Sequence, residues 1–385
     1  MSGIEYRLGR SDHRIVEDFL GSGADGVAGI LLEAKNLRFQ QEVAEAARAV
    51  EVQVFVEPLT ERLTEPGFDP SSLDYWNSYP IRRDELGTSA ARADFVERVI
   101  DPQLKYASVL VPPHFFVDDM QTLGLNIALV RQAVATYGAD FAIRPILAVQ
   151  RNFLAEFNRA SEVAAQYTQT GVASIDLRFS PLGGEEEGSR KVRSAFAITR
   201  TFRDAGLAVI MGSQGNIGHA GLALGLAEGF SVGIGYRESY NYRQAINRQG
   251  KAPAKGDGRR GPTSGVYLPE AALTIPRQVA ETLYQDRHIR TRLACMKGAC
   301  AQAIDGPTRD PRGHYLHART SEVAATLARP IRWRPMLERD RLIRAIEIRG
   351  ILEGHLPSDT PSFSSRTLRT LVGELEAMMD QAESA

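Results

Sequence analysis

The stretch "LAVIMGSQGNIGHAGLALGLAEGFSVGIGYRES", residues 207–239, decides the fold. An apolar, β-rich run over 207–213 gives way to a glycine-rich loop. A helical segment follows from about His219 and closes at Gly229, and a second apolar run starts at Phe230. A glycine just past a helix is a C-cap signal, because it takes the left-handed conformation at no steric cost. Two strands joined by a single helix pair in parallel, since only a crossover returns the chain to the same end of a sheet.

The same unit recurs towards both termini. Apolar runs at 26–33, 52–58, 106–113, 141–150 and 172–181 alternate with helical patterns, and "GVYLPE" (265–270) supplies an eighth candidate strand. Eight such units predict an α/β chain folded as a closed (β/α)8 TIM-like barrel over residues 1–270. An open doubly wound sheet is the alternative, but no pattern marks a switch point. The segment 248–264, rich in Gly, Pro and charge, is expected to be a flexible loop. Residues 271–385 read as a C-terminal helical appendage.

The bulk numbers exclude several classes. The chain has 385 residues, 43% hydrophobic and 24% charged, with a net charge of -1, which is the composition of a soluble protein. Two cysteines make no disulfide framework, so a cytoplasmic location is expected. The first twenty residues lack a signal-peptide core, and no apolar run approaches the roughly 20 residues of a membrane span, so no membrane partner is expected. Charge is unevenly placed: between Asp286 and Arg349 there are 14 Lys and Arg against 7 Asp and Glu. Such a basic segment suits nucleic acid, or else it is a solvated helical surface. Assembly into a homo-oligomer is compatible with everything above.

A barrel carries its chemistry at the C-terminal ends of its strands. Those ends supply Glu33, Lys35, Glu57, His114, Gln150, Arg151, Arg178, Gln214, Asn216, His219, Tyr236, Arg237, Glu238 and Glu270. The carboxylates Glu33, Glu57 and Glu238 are the catalytic candidates. Gln150, Arg178, Gln214, Asn216, His219, Tyr236 and Arg237 are the binding candidates, with the amides suited to a base edge. The loop 211–225 lets main-chain N–H groups approach a ligand, and the helix after it would face an anion or a heterocycle. It matches neither the dinucleotide fingerprint nor the Walker A loop, and no G-x-S-x-G or H-E-x-x-H occurs.

"RLACMKGACAQAIDGPTRDPRGHYLHARTSEV" (292–323) holds Cys295, Cys300, His314 and His317. Two thiols and two imidazoles suit tetrahedral zinc, and the histidines at i and i+3 can share one helix face. Zinc is therefore the one candidate cofactor, and the pattern otherwise requires none. Two buried cysteines beside two surface histidines is the plainer reading.

The order of these parts, with "HYLHARTSEVAA" following the cysteines and "FAIRPILAVQRNFLAEFNRASE" ending a strand in Gln, resembles the tRNA-guanine transglycosylase superfamily. The resemblance spans about residues 140–325. It implies a barrel with a zinc-binding insertion and base exchange through a covalent aspartate. Here the third zinc cysteine, the later zinc histidine and both family aspartates are missing. Three functions follow as expectations. The first is a transglycosylase-like transferase that binds or modifies a nucleobase in tRNA or DNA. The second is a non-catalytic nucleic-acid-binding or assembly subunit. The third is a small-molecule barrel enzyme acting on a phosphorylated or anionic substrate.

Overall fold

A computed structural model describes the chain apart from residues 1, 66, 74, 77–80, 156, 236–237, 250–264, 298–299, 301–302, 304, 357–359 and 385, and apart from the side chains of 157, 248–249 and 382–384. The strands are β1 (Gly3–Arg7), β2 (Val27–Glu33), β3 (Gln53–Glu57), β4 (Val109–Leu110), β5 (Ala142–Ile143), β6 (Ile146–Gln150), β7 (Ser174–Ser180), β8 (Ala208–Met211), β9 (Gly229–Gly233), β10 (Val266–Leu268) and β11 (Leu273–Ile275). The helices are α1 (His13–Gly21), α2 (Gln41–Ala49), α3 (Ser89–Ile100), α4 (Met120–Tyr137), α5 (Phe157–Thr168), α6 (Ser189–Asp204), α7 (Gly215–Ala223), α8 (Tyr242–Gln249), α9 (Arg277–Gln285), α10 (Arg287–Arg292), α11 (Gly306–Arg309), α12 (Pro311–Leu327), α13 (Arg334–Glu353) and α14 (Arg366–Ser384).

Seven parallel strands pair in the order β3-β2-β1-β9-β8-β7-β6. The ring continues through β5, which pairs with β4 and leads through Arg144 and Pro145 into β6. Proline lacks the N–H a ladder needs, which accounts for the break. The Ser108 N–H donates to the Val54 carbonyl at 2.9 Å and joins β4 to β3. This is the expected (β/α)8 barrel, with one correction to its membership. The eighth strand is not 265–270: β10 pairs antiparallel with β11 outside the ring. The ring instead closes on β1, "GIEYR", where Ile4 and Tyr6 pack outward while Glu5 and Arg7 alternate onto the inner face.

The helical appendage is present, and one of its helices completes the barrel. α12 packs on β1 and between α7 and α1, the outer position left open after β9. The Tyr6 hydroxyl meets Thr320 Oγ1 at 2.8 Å and the Leu316 carbonyl at 3.1 Å. Gly26 lies so close to α12 that a Cβ there would sit 3.1 Å from the Ala324 nitrogen.

The barrel interior is apolar at one level and charged at another. Leu31, Phe55, Val109, Val111, Ile146 and Ala148 fill it with Phe116 and Tyr242. Arg144 lies 3.4 Å over the Phe55 ring and pairs with both oxygens of Glu5. Small residues make this room. A Cβ on Gly29 would sit 2.6 Å from Phe55, and one on Gly212 would sit 2.0 Å from Asp176 Oδ1.

Candidate active site

The loops at the C-terminal ends of β3 and β4 are locked together by one hydroxyl. Thr60 Oγ1 donates to the His114 carbonyl at 2.6 Å and accepts the His114 N–H at 2.8 Å. This sets His114 Nε2 3.4 Å from Glu61 Oε2, both side chains being buried. Leu59, just before, holds a left-handed backbone (φ 61). Ser213, at the end of β8, is also left-handed (φ 55), and its N–H donates to Ser231 Oγ at 3.0 Å. Strained non-glycine residues of this kind gather at functional sites.

Between these loops stands a buried ion network. Arg178 on β7 donates to Glu57 Oε1, and to Asp176 Oδ2 at 2.9 and 3.1 Å. Arg7 reaches the same Glu57 oxygen at 3.4 Å. Burial alone would raise Glu57, but the Arg178 and Arg7 guanidinium groups outweigh it and hold the carboxyl well below its usual range. Burial lowers His114 below the ordinary imidazole value, and Glu61 only partly opposes it, so His114 is neutral at pH 7.

Not all of this network is satisfied. Glu57 Oε2, Asp176 Oδ1, His114 Nδ1 and both amide atoms of Gln214 are buried without a hydrogen-bond partner. The segment after β9 covers the site. Tyr240 exchanges main-chain hydrogen bonds with Leu182, and the Tyr242 ring stacks on Phe116 at 4.0 Å. The Tyr242 hydroxyl reaches the Glu61 carbonyl at 3.1 Å.

The sequence-predicted residues divide into two groups. Glu57, Arg178 and Gln214 belong to the mouth. Glu33 ends β2, takes the Asn36 amide at 2.9 Å and pairs with Lys35 at 3.4 Å. Gln150 ends β6 and its N–H donates to Val117. The others lie against the appendage. Asn216 donates to the Ala272 carbonyl at 2.9 Å and accepts from Arg341. His219 is buried against Phe230, with Thr326 Oγ1 at 3.0 Å from Nε2. Glu238 accepts from Tyr315 and, at 3.0 Å, from Arg319. A Cβ on Gly215 would meet Glu238 Oε2 at 2.4 Å, so the chain's own carboxylate sits at the N-terminal turn of α7, where an external anion was expected. Tyr236 and Arg237 lie outside the described residues, as does 250–264 of the expected flexible loop.

Sequence reasoning passed over Glu61, Asp176 and Arg7, and left His114 as one strand-end residue among many. Asp176 was within reach, since residues i and i+2 of a strand share a face and Arg178 was already singled out. Arg7 was lost with the unread first strand. A cavity of about 720 Å³ lies elsewhere. Arg200, Arg203, Leu224 and Trp333 line it at the opposite end of the barrel, away from the strand ends that carry barrel chemistry.

The cysteine stretch does converge. The ligand atoms of Cys295, Cys300, His314 and His317 all lie within 4.8 Å of one another. Cys295 Sγ is 3.2 Å from His317 Nε2, and Cys300 Sγ is 3.5 Å from His314 Nδ1. Hydrogen bonds from Cys300 and the two histidines pull the Cys295 thiol far below its ordinary value. The basic segment, in contrast, spends much of its charge internally. Arg319 pairs with Glu238 and Glu322, Arg341 with Glu338 and Glu322, Arg349 with Glu185, and Arg312 with Asp12.

No protein-family model and no curated protein matches the chain. Among solved structures, it is similar to an apo-form chain assigned as a deoxyribose-phosphate aldolase from Toxoplasma gondii ME49. That match has 12% identity and TM-score 0.37, and covers 64% of this chain and 94% of that one. It is also similar to the carboxyl transferase domain of Rhizobium etli pyruvate carboxylase with pyruvate. There the identity is 10% and the TM-score 0.37, with 98% of this chain and 77% of that one covered. The chain's own strand order makes it a (β/α)8 barrel protein with a charged, covered mouth. Of the transglycosylase resemblance, the strand pairing shows the barrel architecture. Among the described residues, no helix is long and apolar enough to cross a membrane.

Proposed function

We propose that this protein is a small-molecule barrel enzyme that binds a polar substrate beneath Tyr240 and Tyr242 and transfers a proton with His114. One observation carries the reading: the buried mouth keeps polar atoms of Glu57, Asp176, His114 and Gln214 without hydrogen-bond partners. An unsatisfied buried group costs about 1–3 kcal/mol, and native chains keep few of them. A ligand that completes several at once accounts for their shared location. Buried ion pairs are also weak contributors to stability, which favours a functional reason for Arg178, Glu57 and Asp176.

The roles follow from charge. Glu57, held ionised by Arg178, accepts hydrogen bonds from substrate hydroxyl or amino groups. Asp176 Oδ1 and the Gln214 amide fix orientation. Neutral His114 takes a proton at one nitrogen, while Glu61 at 3.4 Å from the other supports the imidazolium that forms. This arrangement suits an isomerase or lyase step. Acceptors outnumber donors in the mouth, so the substrate class is donor-rich, such as a polyol or amino compound. A phosphate at 211–225 is disfavoured because Glu238 lies there. A nucleobase within nucleic acid draws little support from a segment whose Arg319, Arg341 and Arg349 are paired internally.

The test is a comparison of small molecules released on denaturing the wild-type chain and His114→Asn. Compounds bound by the wild type are then incubated with it in D2O. Deuterium incorporation that the variant loses is expected. A bound compound that both proteins leave without deuterium would sink the proton-transfer assignment.

A further inference from the structure

We propose that Cys295, Cys300, His314 and His317 bind one zinc ion in a closed four-ligand site that latches α12 into the eighth outer position of the barrel. The inference stands apart from the chemistry assigned to the mouth.

The donor set is two thiols and two imidazoles, the soft-to-borderline combination that selects zinc over calcium or magnesium. Tetrahedral zinc with its usual bond lengths places sulfur and nitrogen ligands about 3.5 Å apart. The two sulfur–nitrogen separations here are 3.2 and 3.5 Å. The histidine tautomer also fits. His314 Nε2 lies 2.7 Å from the Tyr267 carbonyl, which can only accept, so Nε2 carries the proton and Nδ1 offers its lone pair towards Cys300. His314 and His317 are one turn apart on α12 and use different nitrogens. Nδ1 lies near the backbone and Nε2 reaches further, so two residues on one face can meet one point.

The site is protected and prepared. Cys300 and His314 are buried. A Cβ on Gly306 would lie 2.5 Å from the Cys300 Cα, so the start of α11 braces Cys300 and admits no side chain there. Among the described residues these four form the group, which fills a tetrahedron and leaves no open position, as in structural zinc sites.

The consequence reaches the barrel through α12. Its first half holds both histidines with Tyr315 between them, and Arg319 and Thr320 follow; Tyr315 and Arg319 contact Glu238, and Thr320 contacts Tyr6. The metal therefore ties the turn after α10 and the carbonyl of β10 to the helix that covers β1. Metal-binding free energy becomes folding free energy for that helix.

The full-length, untagged chain, purified under reductant, tests this. Elemental analysis should give close to one zinc per chain. Cobalt exchanged for zinc should show visible ligand-field bands of a tetrahedral site and a thiolate charge-transfer band. Cys300→Ser and His317→Ala should each lose that band. Chelation of the wild type should speed amide exchange in 311–327 well beyond any change in 120–137. Reduced wild-type protein that takes up neither zinc nor cobalt overturns the site. So does metal retained in both variants. Metal removal that leaves exchange in 311–327 unchanged overturns the latch.

Discussion

The barrel mouth and the network between α12 and α13 are both buried and both built on arginine–carboxylate pairs, yet they are finished differently. Around Arg319 and Arg341, Tyr267 donates to Glu322 at 2.8 Å, Arg341 grips Glu338 through two hydrogen bonds of 2.8 Å, and Tyr315 donates to Glu238. Only an Arg319 nitrogen and His219 Nδ1 stay open among these groups. At the mouth, Glu57, Asp176, His114 and Gln214 all keep open atoms. A network closed on itself holds elements together. One left open under a cover holds its polar atoms for something else. The same residue types thus serve as a fastener in one place and as a candidate site in the other.

The comparison can be broken first at the mouth. His114→Asn should lower turnover by about 10²–10⁴-fold, the usual loss for a general acid–base group, and Glu57→Gln should weaken substrate binding, both with the far-ultraviolet dichroism unchanged. The opposite pattern belongs to the other network. Arg319→Ala removes a fully buried guanidinium from its pairs with Glu238 and Glu322 and should cost about 3–5 kcal/mol in denaturant unfolding. If Arg319→Ala unfolds no more easily than Glu57→Gln, the distinction fails.

A glycine pair sharpens the point. Gly212→Ala places a methyl 2.0 Å from Asp176 Oδ1 and 2.6 Å from Arg178 Cγ, so the mouth must shift, at about 1–3 kcal/mol. Gly124→Ala on α4 meets nothing within 4 Å and should instead stabilise by about 0.5–1 kcal/mol. Thermal unfolding of the two variants should move in opposite directions.

A further effect is pH-linked. Burial lowers His114 and His219 in the folded state. Between the folded value and the ordinary value near 6.5, the unfolded chain binds more protons, so stability rises with pH there and falls as pH drops. Moving from pH 7.5 to 5.5 should therefore cost stability through each histidine. His219→Asn should flatten the profile of the melting temperature by roughly half. An unaltered profile would place the titration elsewhere.

Much of the barrel was legible because strand and helix periods differ and because glycines such as Gly206 and Gly229 punctuate the chain between them. β1 escaped because five residues, two of them charged, carry too little apolar signal to read as a strand. Glu5 and Arg7 make sense only once their inward neighbours Arg144 and Glu57 are in place. The strand-end rule found Glu57, Arg178 and Gln214, but it also gathered Asn216, His219 and Glu238, which the appendage takes for its own contacts. Position along a strand says which end a residue occupies. It does not say which neighbour will claim its side chain.

The sequence by itself determined the alternation of strands and helices, the helical C-terminal region, and the four metal-type side chains of 295–317. Local spacing is enough for these, because periodicity and residue chemistry act within a few turns of chain. Only the tertiary structure decided that β1 closes the ring, that α12 fills the eighth outer place, and that His114 and Glu61 meet while Glu238 turns to Arg319. Those outcomes depend on contacts between residues up to 314 positions apart, such as Tyr6 with Thr320, and are fixed by packing and by the cost of burying unpaired charge.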